Sequence, residues 1–377
     1  GGVGSMVLVF LRGAYDGLSA LVPFSDPNYY AVRPNIAIPR PDGTGQTALA
    51  LDARFGLHPA MAALLPLWKQ GVLGVVATAG SPDATRSHFD AQHHWETGIP
   101  GKSSHTNGWM NTVAGWHAEG LDPAARAIGV GEANPLILAG AAAVQLVPKG
   151  QAATRQGALG NPRTRDAVMQ LYVGDDALSR SFRAGADSRA QTAATLNMDA
   201  DGHTMDSAQM QAANNGAGPA QGLLLDAKHL GTLMRENRRL RLGFLSAGGW
   251  DTHANQGNGR GQLANRLTLL AQGLDALVHG LGDQLPHTSI LVLSEFGRTV
   301  RQNGTNGTDH GHGNVMMLAG GRVHGGKVHG EWPGLESRAL YERRDLAITT
   351  DFRDIIASVM ARHLSLPVHV RTGWYFS

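Results

Sequence analysis

The chain has 377 residues, 42% of them hydrophobic, which is enough for one large domain or two ordinary ones. Only 16% are charged, 50 are glycine, and the formal charge of +2 comes without a Lys/Arg block, so disordered, coiled and nucleic-acid-binding classes are disfavoured. Cysteine is absent, which excludes disulfides and thiolate metal sites, and no apolar run is long enough to span a membrane.

In chain order, Met6 to Leu11 is a short apolar run bounded by glycine and predicts a buried strand. A loop with Asp16 follows. HPAMAALLPLWKQG predicts a helix ending at Gly71. VLGVVATAG predicts a second buried strand, and it leads through the polar SPDATRSHFDAQHHWETG into a helix. From about 140 to 218 the chain is rich in Ala, Gln, Asn and Gly, and reads as an insertion or cap. Two helices are expected within it, from Arg163 to Tyr172 and from Ala177 to Ala194. LLLDAKHLGTLMRENRR then predicts an amphipathic helix, GFLSA a strand, and GQLANRLTLLAQGLDALVHGLGDQL a long helix with apolar spacing of three and four. ILVLS and NVMML predict two further strands. HGGKVHGEWPG predicts a hairpin, and TTDFRDIIASVMARHL a final helix with Thr350 and Asp351 as capping candidates. Strands alternate with helices, so the expected fold is one α/β domain over 1–377 with a mostly parallel central sheet flanked by helices.

Ligands in open α/β sheets bind outside the carboxyl ends of the strands. Asp16 follows the first strand, Ser87 and His88 the second, Asp251 and His253 follow GFLSA, and Glu295 and Arg298 follow ILVLS. The glycine-rich loop GTDHGHGN adds Asp309, His310 and His312. It precedes NVMML, so it reaches the same rim only if that strand runs antiparallel to the others. Imidazole and carboxylate without sulfur suit one or two divalent ions such as zinc, manganese or calcium. Ser87 stands at a helix start, where a nucleophile attacking a phosphate or sulfate ester would meet backbone N–H groups; the plainer reading is an N-cap. Arg298 and His88 are placed to stabilise anionic oxygens. Trp250, beside Asp251, is a candidate substrate wall.

The stretches RGAYDGLSALVPFSDPNYYAVRP, GLHPAM, RSHFDAQ, GGWDTHANQ, SEFGRT and TDHGHGN resemble the bacterial proteins of domain-of-unknown-function family 1501, in the family's order and over nearly the whole chain. That family is similar to the alkaline phosphatase and sulfatase superfamily. The resemblance implies an alkaline-phosphatase-like fold. It makes Asp16 the first-strand metal ligand, Ser87 the nucleophile, and Asp251 with His253 the pair of one metal position. His310 or His312 becomes the late histidine ligand, with Asp309 beside it. Glu295 stands where the superfamily has an Asp-His pair, and Phe296 replaces the histidine, which puts a second ion in doubt. Family members commonly carry twin-arginine export signals, which implies a periplasmic or secreted protein whose signal is not in this chain. The function expected first is a metal-dependent hydrolase of phosphate or sulfate esters, on a small-molecule or saccharide substrate, with Ser87 or a metal-bound water as nucleophile. Alternatives are a non-catalytic, metal-stabilised protein binding an anionic glycan or other polymer, and a metal-free serine hydrolase, which lacks the usual G-x-S-x-G turn.

Overall fold

A computed structural model describes residues 4–81, 83–98, 107–116, 122–153, 213–362 and 364. Its strands are β1 (Ser5–Leu11), β2 (Leu21–Val22), β3 (Leu49–Ala50), β4 (Gly56–Leu57), β5 (Leu73–Gly80), β6 (Ala127–Gly131), β7 (Val144–Pro148), β8 (Leu242–Ala247), β9 (Thr288–Leu293), β10 (Asn314–Gly320), β11 (Val328–His329) and β12 (Thr350–Asp351). Its α-helices are α1 (Gly17–Ala20), α2 (Pro27–Val32), α3 (Leu65–Lys69), α4 (His88–Thr97), α5 (Trp109–Trp116), α6 (Leu223–Glu236), α7 (Gln262–Leu281) and α8 (Phe352–Arg362). The two helices expected between Arg163 and Ala194 lie outside the described residues.

Nine strands form one sheet in the order β11-β5-β10-β9-β1-β8-β6-β7, with β12 also pairing β5. Strand β1 pairs in parallel with β8 and β9, and β8 with β6. Strand β10 runs antiparallel to both β5 and β9, as its preceding loop requires. The HGGKVHGEWPG stretch forms no hairpin: Val328 and His329 add to β5 in parallel instead. Within the expected insertion, residues 144–148 form the edge strand β7.

Alternation along β1 sets the layers. Val7, Val9 and Leu11 face one core, shared with α6 and α7. Met6, Leu8 and Phe10 face the other, under α4, α5 and α8. Helix α7 buries Leu263, Leu267, Leu270, Leu274, Leu277 and Leu281. Each such leucine contributes roughly 1.5–3 kcal/mol by leaving water, whereas intrinsic propensities differ by less than about 1 kcal/mol; packing, not propensity, fixes this helix. It lies close to α6 because two glycines meet: a Cβ at Gly231 would come within 3.0 Å of the Gly280 backbone. Asp351 accepts a hydrogen bond from Arg353 N at 2.9 Å, capping α8. No helix among the described residues is long and apolar enough to cross a membrane.

Candidate metal centre

The turn after β1 is built to hold a carboxylate. Gly13 has φ +121° and Ala14 φ +57°, which turns their consecutive N–H groups the same way. Both donate to Glu295, Gly13 at 3.0 Å and Ala14 at 2.5 Å. A side chain at Gly13 would strike the Asp251 backbone, 2.9 Å from the Cβ position. Gln92 also donates to Glu295, and the far end of Gln92 accepts from Arg12. Arg12 is itself buried between Glu96 and Glu132. Arg12, Gly13, Ala14, Gln92 and Glu295 lie in the stretches RGAYDG, RSHFDAQ and SEFGRT, but their pairing was not legible there, because the partners lie far apart along the chain.

Glu295 in turn contacts His88 Nδ1 at 3.2 Å. Phe296 stacks on the His88 ring, with centroids 4.9 Å apart and planes at 25°. Phe296 thus fixes the plane of the His88 ring. His310 Nδ1 lies 2.8 Å from the Arg86 carbonyl, which can only accept, so Nδ1 carries the proton. His253 Nδ1 lies 3.2 Å from Asp309, which is exposed and also accepts from Asn303.

All three histidines thus have Nδ1 engaged by an acceptor and turn Nε2 towards one atom. Asp251 Oδ1 is 2.8 Å from His253 Nε2, 3.1 Å from His310 Nε2 and 3.3 Å from His88 Nε2. In neutral imidazoles those nitrogens are lone pairs, and lone pairs against a carboxylate repel unless a cation or proton lies between. The ligand atoms of His88, Asp251 and His310 all lie within 4.8 Å of one another. Donors on a tetrahedral ion with bonds of about 2.0–2.1 Å would stand about 3.3 Å apart. Carboxylates and carbonyls that orient imidazoles through Nδ1 are the usual outer shell of a metal site.

The electrostatics agree. Burial works to lower the His88 pKa, but Asp251 and Glu295 outweigh it and lift it to about 9. Burial lowers the pKa of His310. Burial would raise the Asp251 pKa, yet its contacts with His253, His310 and His88 hold it far below the usual carboxylate range. Without a cation, His88 carries the compensating proton. Arg298 is buried and donates from Nη2 to Asp251 Oδ1 at 2.7 Å. Its Nε and Nη1, Asp251 Oδ2 and His88 Nε2 are buried without hydrogen-bond partners among the described residues. Such unpaired atoms at one spot fit a site that takes a cation and an anionic ligand.

The other expected site residues stand apart from this group. Asp16 is gripped by Arg33 at 2.6 and 3.0 Å, and accepts from Ser19 and Gln256. Burial would raise its pKa, but Arg33 lowers it. Glu295 and Asp309 orient histidines. His312 stacks on Tyr341 at 3.9 Å. Ser87 is exposed and caps α4, accepting from Asp90 N at 3.4 Å. Trp250 is fully buried, donates to the Ala247 carbonyl, and is core, not a substrate wall.

The family model of a protein of unknown function, DUF1501, matches residues 4–372. The chain belongs to the DUF1501 family. No curated protein matches this DUF1501 chain. Among solved structures it is similar to Ps i-CgsB in complex with k-i-k-neocarrahexaose, at 10% identity and TM-score 0.39, covering 98% of this chain and 73% of that one. It is also similar to the lipoteichoic acid synthase LtaP from Listeria monocytogenes, at 10% identity and TM-score 0.41, covering 99% and 76%. BT1596, a 2-O GAG sulfatase, is similar at 7% identity and TM-score 0.38, covering 87% and 66%. Likeness this distant says nothing of what the DUF1501 chain acts on.

Proposed function

We propose that the chain is an exported hydrolase of phosphate or sulfate esters that uses one divalent cation, held by His88, His253, His310 and Asp251. The observation that carries this is the convergence of three Nε2 atoms on Asp251 Oδ1, each with its Nδ1 already committed. Three imidazoles favour zinc or manganese over calcium, which prefers oxygen ligands. One ion is assigned because the remaining carboxylates are taken: Asp16 by Arg33, Glu295 by Gly13, Ala14 and Gln92, and Asp309 by Asn303 and His253. The export reading rests on the family resemblance alone.

When bound, the ion would polarise an ester oxygen as a Lewis acid. Arg298 would donate from Nε and Nη1 to the anionic oxygens, its position fixed through Nη2 by Asp251. Glu295 holds the proton of His88 on Nδ1, and the Arg86 carbonyl holds that of His310. Ser87 is engaged as a cap and has no base among its hydrogen-bond partners, so the attack is assigned to water.

Elemental mass spectrometry on native protein, beside an Asp251→Ala, His310→Ala double variant, tests the centre. One equivalent of a transition metal, lost in the variant, is expected. No uptake on reconstitution, or equal uptake by the variant, sinks the reading. Ser87→Ala then separates the nucleophiles: ester turnover within about tenfold of the parent marks water, and a loss above about a thousandfold marks serine. The capping of Ser87 also favours a second reading, a metal-stabilised protein that only binds an anionic polymer. Any turnover lost together with the metal overturns it.

A further inference from the structure

The sheet face under α4, α5 and α8 is not packed solid. Between these helices lies a cavity of about 380 Å³, walled by Trp95, Trp109, Trp116, Phe352, Ile356 and Met360. Small-molecule sites typically span roughly 300–1,000 Å³. The rings already form platforms. Trp95 and Phe352 stack with centroids 5.1 Å apart and planes at 15°, and Trp109 tilts against Trp95 at 6.2 Å and 57°. Trp116 is 57% exposed although Met110 and Val113 of the same helix are buried. An indole left half in water at an apolar cavity is surface for a ligand to cover.

Two further observations say which kind. Trp95 is 3% exposed, and its Nε1–H has no partner among the described residues. A buried donor of this kind is normally paired, so a ligand should bring an acceptor. The charged side chains of the lining are otherwise engaged. Asp83 pairs with His94, Arg353 with Asp351, and Glu295 holds Gly13, Ala14 and His88. A sugar, with hydroxyls all round its ring, would find few free partners here; a flat, mostly carbon ring would not need them.

We propose that this cavity binds an aryl ring carrying a hydrogen-bond acceptor. It is the alcohol half of an aryl ester cleaved at the metal centre. The two places share residues. Helix α4 begins with His88 and lines the cavity with Ala91, His94 and Trp95, and Glu295 both lines the cavity and orients His88. Ring binding stands on the cavity itself; assigning the ring to the leaving alcohol rests on the hydrolase reading. In that step the water oxygen bonds to phosphorus or sulfur, the bond to the aryl oxygen breaks, and the phenoxide leaves and takes up a proton.

The test is calorimetric titration of 4-nitrophenol into the parent protein, Trp116→Ala and Asp251→Ala. Saturable binding is expected in the parent, about tenfold weaker in Trp116→Ala, and retained in Asp251→Ala. Trp109→Ala should weaken it similarly. No saturable binding, binding untouched by both tryptophan variants, or tighter binding of methyl glucoside or hexanol than of 4-nitrophenol overturns the ring site. If the ring binds but no metal does, the hydrolase reading fails and the ring site stands. With turnover in hand, Trp116→Ala should raise KM for 4-nitrophenyl esters and not for methyl phosphate; equal KM changes overturn the leaving-alcohol assignment.

Discussion

Asp16 and Asp251 are the same residue type in matched surroundings. Each is buried and follows one of two neighbouring parallel strands, β1 and β8. They differ in what their neighbours do with protons. Asp16 faces a guanidinium that can never give up its charge, and both its oxygens are satisfied. Asp251 also meets a buried guanidinium, that of Arg298, but it faces three imidazoles besides, whose Nδ1 atoms are engaged elsewhere, and its Oδ2 has no partner among the described residues. The first carboxylate has one basic partner and no spare oxygen; the second has a guanidinium, three imidazoles and a spare oxygen, the arrangement on which the proposed cation site rests. A ligand is recognised by the protonation of its partners more than by its place after a strand.

The comparison breaks if the two residues behave alike. Asp251→Asn should lose metal affinity by more than about a hundredfold, read by competition with a chromogenic chelator, while Asp16→Asn keeps the affinity of the parent. Stability does not separate the two, because each carboxylate balances a buried guanidinium. Asp16→Asn leaves Arg33 buried without its counter-charge and should cost about 3–5 kcal/mol in denaturant unfolding. Glu295→Gln tests the outer shell: metal should bind about 10–100-fold more weakly, with a smaller loss if the amide oxygen still accepts from His88.

Acid tests the Asp16–Arg33 pair. The native Asp16 pKa lies below its ordinary 3.8, because Arg33 outweighs burial. Its stabilisation is present above that value and is lost as pH falls through the lower native one. Denaturation midpoints should therefore drop below about pH 4 in the parent, and more shallowly in Asp16→Asn. The smallest effect belongs to His312→Ala. It should leave metal binding intact and cost about 1 kcal/mol or less, since the ring packs on Tyr341 outside the centre.

The rim was legible because apolar runs mark strands and the polar residues after them mark one edge. The antiparallel course of β10 was legible too, since its loop comes before its strand. Asp16 gave the same signal as Asp251, because an arginine seventeen residues on, in AVRP, says nothing of where it will fold. His88 was expected as a catalytic group and is placed in the proposed ligand set, because its tautomer is fixed by Glu295 from a distant strand. The aromatic cavity was illegible for a related reason: its rings come from three helices, α4, α5 and α8, brought together on one face of the sheet only by the fold.

Strand β10 is a wedge. It enters between β5 and β9, and the loop that carries His310 leads directly into it. The three other members of the cluster are all synthesised earlier, yet the proposed four-residue centre stays incomplete until the loop before residues 314–320 is fixed by that strand. Contacts spanning such stretches of chain form late and slowly. Metal uptake at the proposed centre would then act as a clock for assembly: a chain holding its ion has set β10 in the sheet, and one stalled before β10 stays without it, however complete its earlier layers.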